Sequence, residues 1–185
     1  TVIGTTNGCS STGTAGTSSS FVSVSFGTAH IMALKSNGTL WGWGNNFYNE
    51  MGNGSTTNIS TPTQIGTNTN WATVVAAGDH SHAITADGKL YGWGRRVNGF
   101  VGDGSSTGNQ STPIQIGTAT NWTSLFSSHN TNAIKSDGTA WVWGWNSFGQ
   151  LGLGNTINQT SPQQMGTSTW RKLSGCYGFE MGIKT

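Results

Sequence analysis

The sequence predicts an all-β chain built from the four-stranded blades of a propeller. A unit of about 50 residues recurs along the 185 residues. Each unit places an Asn-Gly or Asp-Gly between two apolar runs, a strong short-range hairpin signal. The composition is rich in turn residues and poor in charge, with 29 Gly and 9 Trp beside 8 Lys+Arg and 6 Asp+Glu. So few charges cannot supply the polar face of a soluble helical bundle. An aromatic share of 10% with a net charge of +2 is the reverse of a disordered composition. No run approaches the ~18 apolar residues of a membrane span. No basic patch is available for nucleic acid or an anionic membrane, so neither is expected as a partner.

The elements follow in order. Residues 1–20 read as the end of a preceding unit plus an insertion: Val2-Ile3-Gly4-Thr5 matches Ile65-Gly66-Thr67, Ile116-Gly117-Thr118 and Met165-Gly166-Thr167, and a Ser/Thr/Gly-rich stretch fills 8–20. Thr1 is not an initiator Met and no leader pattern follows it, so the chain is expected to be processed or a piece of something longer. Full units run over 21–70, 71–121 and 122–169, opening on Phe21, Trp71 and Trp122. Residues 170–185 begin a further unit at Trp170, with Gly182-Ile183-Lys184 standing where Ala133-Ile134-Lys135 stood.

Within the second unit, strands are expected over 71–76, 82–85, 90–93 and 114–116. Asn37-Gly38, Asp87-Gly88 and Asp137-Gly138 are read as type I′ turns between the second and third strands. Pro62, Pro113 and Pro162 begin the fourth, where an edge position needs no backbone donor. Trp41/Trp43, Tyr91/Trp93 and Trp141/Trp143 stand two apart, so each pair faces one side of its strand. Together with Trp71, Trp122 and Trp170 they form the expected core, each able to bury ~150–250 Å² between neighbouring sheets.

The run Ala76-Ala77-Gly78-Asp79-His80-Ser81-His82-Ala83-Ile84, followed by Asp87-Gly88-Lys89-Leu90-Tyr91-Gly92-Trp93-Gly94, resembles the repeat of the RCC1 (regulator of chromosome condensation) family. So do Trp143-Gly144, Asn146 and Gly149-Gln150-Leu151-Gly152. The resemblance covers essentially the whole chain. It implies a seven-bladed ring of about 350 residues, of which this chain supplies about half. The sequence departs from the pattern in several places. Ser128-His129-Asn130 lacks the Gly of Gly78, Gly175-Cys176-Tyr177-Gly178-Phe179 has no His, and Phe100 replaces the Gln of Gly-Gln-Leu-Gly.

Chemistry is sparse. His30, His80 and His82 invite a metal reading, but His30, His80 and His129 fall at equivalent repeat positions, so a structural role is more economical. Asp103-Gly104-Ser105-Ser106 reads as a turn, because Asn53-Gly54 and Leu153-Gly154 take its place in the other units. A carboxylate pair for glycoside hydrolysis would need Glu50, Asp79, Asp103 or Glu180, and nothing places two of them together. No enzyme activity, metal or cofactor is expected. Cys9 and Cys176 allow one disulfide between the ends, or two free thiols, the simpler reading. Six Asn-x-Ser/Thr sites occur in a chain rich in these residues, so glycosylation is not inferred from them.

The leading functional expectation is a non-enzymatic binding or structural module. It would be extracellular, on a cell surface or part of a virion, with a hydroxyl-rich surface that meets a protein or glycan. The resemblance also implies an alternative, guanine-nucleotide exchange on a small GTPase, which a charged share of 8% speaks against. Light sensing by stacked tryptophans, known in a plant member of the family, would need Trp in the loops that read Gly27-Thr28-Ala29-His30 and Gly78-Asp79-His80. Contacts are expected on the loop after the third strand, where Arg95, Arg96 and Phe100 break the pattern without an evident packing gain. Arg and aromatic residues are enriched at binding hot spots. The competing reading is that Phe100 fills the slot of the missing Leu or Gln. Three units with stubs cannot close a ring, so completion by the rest of a longer chain or by other copies is expected.

Overall fold

The computed structural model describes residues 19–176 and 179–185. The 1–18 segment with Cys9 lies outside the described residues, as do Tyr177, Gly178 and the side chains of Cys176 and Glu180. The first blade is the sheet β1-β2-β3-β4, from Phe21–Phe26, His30–Lys35, Leu40–Gly44 and Ile59–Gln64. The second is β5-β6-β7-β8, from Trp71–Ala77, His80–Thr85, Leu90–Arg95 and Asn109–Gln115. The third joins β9 (Trp122–Ser127), β10 (Thr131–Lys135) and β11 (Thr139–Gly144) to β12 (Gln159–Cys176), which pairs onward with β13 (Phe179–Lys184). All pairings are antiparallel. The long β12 therefore runs through the junction between the third unit and the next.

The hairpins differ in kind from the expected type I′ turn. Gly38, Gly88 and Gly138 have φ of 76°, 75° and 81°, but Asn37, Asp87 and Asp137 are not among the residues with positive φ. Gly38 N–H donates to Lys35 O, and Lys35 N–H to Thr39 O. This is a three-residue loop, a type I turn closed by a left-handed glycine. The Asx side chain serves as an acceptor: Asn37 Oδ1 and Asp137 Oδ1 each take the Thr hydroxyl two residues on, at 2.7 Å. The prolines also differ from expectation. Pro62 and Pro113 sit inside β4 and β8, not at their starts. Both strands are sheet edges, so the missing N–H leaves no gap in a ladder.

Each turn anchors the next blade. Gly38 O, Gly88 O and Gly138 O accept the N–H of Trp71, Trp122 and Trp170. A Cβ on Gly38 would stand 2.0 Å from Thr69 O, so only glycine permits this approach. The hydrophobic core is a series of seams between blades. Met32, Leu34, Leu40, Met51 and Ile65 of the first blade pack on Trp71, Val74, Ala83 and Trp93 of the second. Leu90, Val101 and Ile116 repeat the arrangement against Trp122, Leu125 and Trp143. Trp93 and Trp143 are fully buried, Trp71 and Trp122 nearly so, and Trp41, Trp43, Tyr91, Trp141 and Trp170 are half-buried. Gly52 and Gly102 cradle the two buried indoles, since a Cβ there would meet Trp93 at 2.8 Å and Trp143 at 2.5 Å.

Candidate functional site

The second strand of each blade starts earlier than alternation alone suggests. β6 begins at His80, so His80 and His82 lie on one face, their rings 5.2 Å apart. Pairing also corrects one equivalence: Ile31, Ser81 and Thr131 face Trp43, Trp93 and Trp143. Asn130, not His129, is therefore the counterpart of His30 and His80, because the third unit is one residue shorter there.

These histidines stitch the seams. His30 Nε2 lies 2.9 Å from Ser81 Oγ, which donates to Glu50 O at 2.9 Å. Trp93 Nε1 donates to the same carbonyl at 2.7 Å. One blade on, His80 Nε2 meets Thr131 Oγ1 at 3.2 Å and Ser127 Oγ at 3.3 Å. His82 Nε2 lies 3.0 Å from Val101 O. Burial pushes His30 and His82 down to about 4, against the opposing charges of Asp79 and Asp103, and pushes His80 well below the usual range. All three are neutral near pH 7. Among the described residues no three His, Cys, Asp or Glu side chains cluster in a way that could hold a metal.

The three expected contact residues all have partners inside the fold. Phe100 is 8% exposed and stacks on His80, with ring centroids 5.1 Å apart. It occupies the buried slot that Glu50 and Gln150 fill in the other blades. Burial pushes the Glu50 carboxyl up, and that carboxyl accepts the Tyr48 N–H at 2.8 Å. Arg96 takes the place of Asn46 and Asn146, which pin their loops by donating to Ser55 O and Asn155 O. It does the same work through Asp103 at 2.6 Å and Gln110 at 2.5 Å. Arg95 pairs with Asp79 at 2.9 Å and lies 4.4 Å from the centre of the Tyr48 ring. The packing gain that the sequence did not show is thus present for each.

A cavity of about 280 Å³ opens beside this group. Its walls come from three successive blades: Thr28 from the first, Asp79, His80, Arg95 and Phe100 from the second, and Trp145 from the third. Sequence reasoning reached Arg95 and Phe100 but missed Asp79 and Trp145 as a group. A signal existed for Trp145: its counterparts are Asn45 and Arg95, so it is an aromatic outside the repeated core pattern.

The family model described as the Regulator of chromosome condensation (RCC1) repeat matches residues 37–84 and 137–174, and a second model of the same description matches 21–50. Together they cover more than half of the chain. The chain belongs to the RCC1 repeat family. No curated protein matches its sequence. Among solved structures it is similar to Prp20p of Saccharomyces cerevisiae, at 20% identity and a TM-score of 0.77, over 88% of this chain and 44% of that one. Human WBSCR16 is similar at 18% identity and a TM-score of 0.74, over 90% and 44%. Yeast RCC1 (Prp20) bound to Kap60 gives 18% and 0.74, over 85% and 40%. The chain spans less than half the length of these propellers.

Proposed function

We propose that this RCC1-repeat chain is a non-enzymatic module that binds a protein partner on the end of the blades where the loops of three units converge. The observation that carries this reading is that convergence itself: loops 50 residues apart in sequence are held together by buried seams of apolar side chains and hydrogen-bonded histidines. Rigid presentation of loops lowers the ordering cost of binding. The similar structure of Prp20p is described with binding to Gsp1p and histones, and yeast RCC1 with Kap60, which supports a protein as the partner class. The scarcity of charge and the hydroxyl-rich surface support a place outside the cell or on a virion.

The same reading includes a preceding blade of the same polypeptide covering β1. Phe21, Val24 and Phe26 are 40%, 45% and 70% exposed, and they repeat the positions at which β5 meets the first blade. Quantitative affinity capture with the chain and with its Asp79→Ala/Arg95→Ala variant tests the reading. A partner enriched by the first and lost by the second, at an equal melting midpoint, is expected. Identical capture by both would overturn it.

A further inference from the structure

We propose that the hairpin end of the blades, where the second strand turns into the third, is a docking surface for an acidic polysaccharide, a sugar chain with carboxylate or sulfate groups at regular intervals. Lys35, Lys135 and Lys184 are the last residues of β2, β10 and β13, each the second strand of its blade. Lys89 lies in the turn between β6 and β7, and Arg171 and Lys172 follow Trp170, which pairs with Lys184. All of these cations therefore stand at one end. The other Lys+Arg residues, Arg95 and Arg96, stand at the opposite end, where Asp79 and Asp103 neutralise them. Among the described residues, the carboxylate side chains at the hairpin end are Asp87, paired with Lys89 at 2.7 Å, and Asp137. A chain with a net charge of only +2 thus has one distinctly positive end.

The lysines are ordered by the rings beneath them. Lys35 Nζ lies 3.5 Å from the centre of the Trp41 ring, Lys135 Nζ 3.9 Å from that of Trp141 and Lys184 Nζ 5.2 Å from that of Trp170. A cation–π contact uses no N–H donor, and among the described residues none of the three ammoniums donates to the protein. The second blade has Thr85 at this position and supplies Lys89 instead. Cations that recur blade by blade fit a ligand whose anions also recur. Around them the surface is hydroxyl and amide: Thr67, Asn68, Thr69 and Asn70 are exposed in one connection between blades, Thr118 and Thr120 in the next. Such groups both donate and accept, as sugar hydroxyls do. A groove of about 380 Å³ reaches this end between the second and third blades, lined by Ile114 and Thr118 on one side and by Lys135 and Trp141 on the other. That volume is within the ~300–1,000 Å³ of ligand sites and leaves room for a sugar ring beside the ammonium. Asp103 also lines the groove, but Arg96 takes up its carboxylate. Two other polyanions fit less well. Duplex DNA, with a charge every ~1.7 Å, would press phosphates against Asp87 and Asp137. An acidic peptide would want an apolar anchor, and the most exposed large apolar side chains, Phe26, Phe47, Phe148 and Ile157, stand at the opposite end.

The test is calorimetric titration of the 185-residue chain with polygalacturonate and chondroitin sulfate, beside neutral dextran, polyglutamate and a DNA duplex. At low salt at least one acidic polysaccharide is expected to bind with a Kd near about 10 μM and dextran not at all, the binding weakening as salt screens the charges. Lys35→Gln/Lys135→Gln is expected to weaken it about tenfold or more, while Lys35→Arg/Lys135→Arg, which keeps both charges, restores it. If the glutamine pair lowers the melting midpoint, Arg171→Gln/Lys172→Gln decides, since both side chains are exposed and make no ring contact. The Asp79→Ala/Arg95→Ala variant, altered at the opposite end, is expected to bind the polysaccharide as the parent does, which separates this surface from the proposed protein-binding end. The proposal is overturned if neither acidic polysaccharide binds more tightly than dextran. It is equally overturned if polyglutamate or the duplex binds more tightly than both, or if the two glutamine variants bind unchanged.

Discussion

Strands β1 and β5 hold the same place in consecutive blades, yet one is wet and the other dry. Trp71, Val74 and Ala76 of β5 are 8%, 3% and 2% exposed, while their counterparts Phe21, Val24 and Phe26 are largely exposed. Apolar residues recur at the same spacing in both strands. What differs is the neighbour: β5 lies against the first blade, and none of the described residues plays that part for β1. A blade's apolar face is thus only half of a core, and its stability is shared with the blade beside it.

The largest expected effect breaks this comparison directly. Trp143→Ala or Trp93→Ala removes a fully buried indole and should cost about 3–5 kcal/mol in urea unfolding. Trp43→Ala, at the equivalent place on the uncovered face, should cost about 1 kcal/mol. Equal losses would mean that something covers β1 in solution.

The cradle glycines sharpen it further. Gly102→Ala meets both a φ of 83° and the Trp143 ring, and should cost more than about 2 kcal/mol. Gly104→Ala, at φ of 90° with open space around it, should cost about 1 kcal/mol. Matching melts for the two variants would remove packing against Trp143 as the reason for Gly102.

Acid should then act on the seams between blades. His30 and His82 are depressed to about 4 in the fold, and His80 lies well below its usual value. Between the folded values and 6.5 the unfolded chain binds more protons, so stability is full above about pH 6.5 and falls as the pH drops toward 4. Each histidine steepens the loss by up to about 1.4 kcal/mol per pH unit. Glu50 works in the opposite sense, because its carboxyl is raised and protonation favours the folded form as the pH falls. His82→Asn copies Asn132 of the third blade and should flatten the profile; an unchanged slope would place the sensitivity elsewhere. The smallest effect belongs to Phe26→Ser, the residue type found at Ser127. It should move the unfolding midpoint by no more than about 0.5 kcal/mol while reducing concentration-dependent association in light scattering.

The repeat, the order of strands, the hairpin positions and the aromatic pairs are all legible in the sequence, because each rests on residues a few positions apart. Period-2 alternation and Asx-Gly turns are local, and three copies of one pattern reinforce each other. Turn type was less legible: the Asx residue reads equally as a left-handed site or as a side-chain acceptor, and the backbone chose the second. Which of the core aromatics are fully buried and which stay half-buried was not legible. Trp43 and Trp93 look alike in their repeats, but burial depends on a neighbouring blade that lies outside either strand. Phe100 broke the family pattern and suggested a surface contact, and only packing against His80 showed it filling the slot of Glu50 and Gln150. The cavity is likewise a product of tertiary structure alone. Thr28, Asp79 and Trp145 lie in three different units, and no local pattern brings them together. Sequence by itself determined what each blade is. The assembly of blades decided which faces are dry, which histidines are buried and where the cavity opens, because burial depends on groups far apart in the chain.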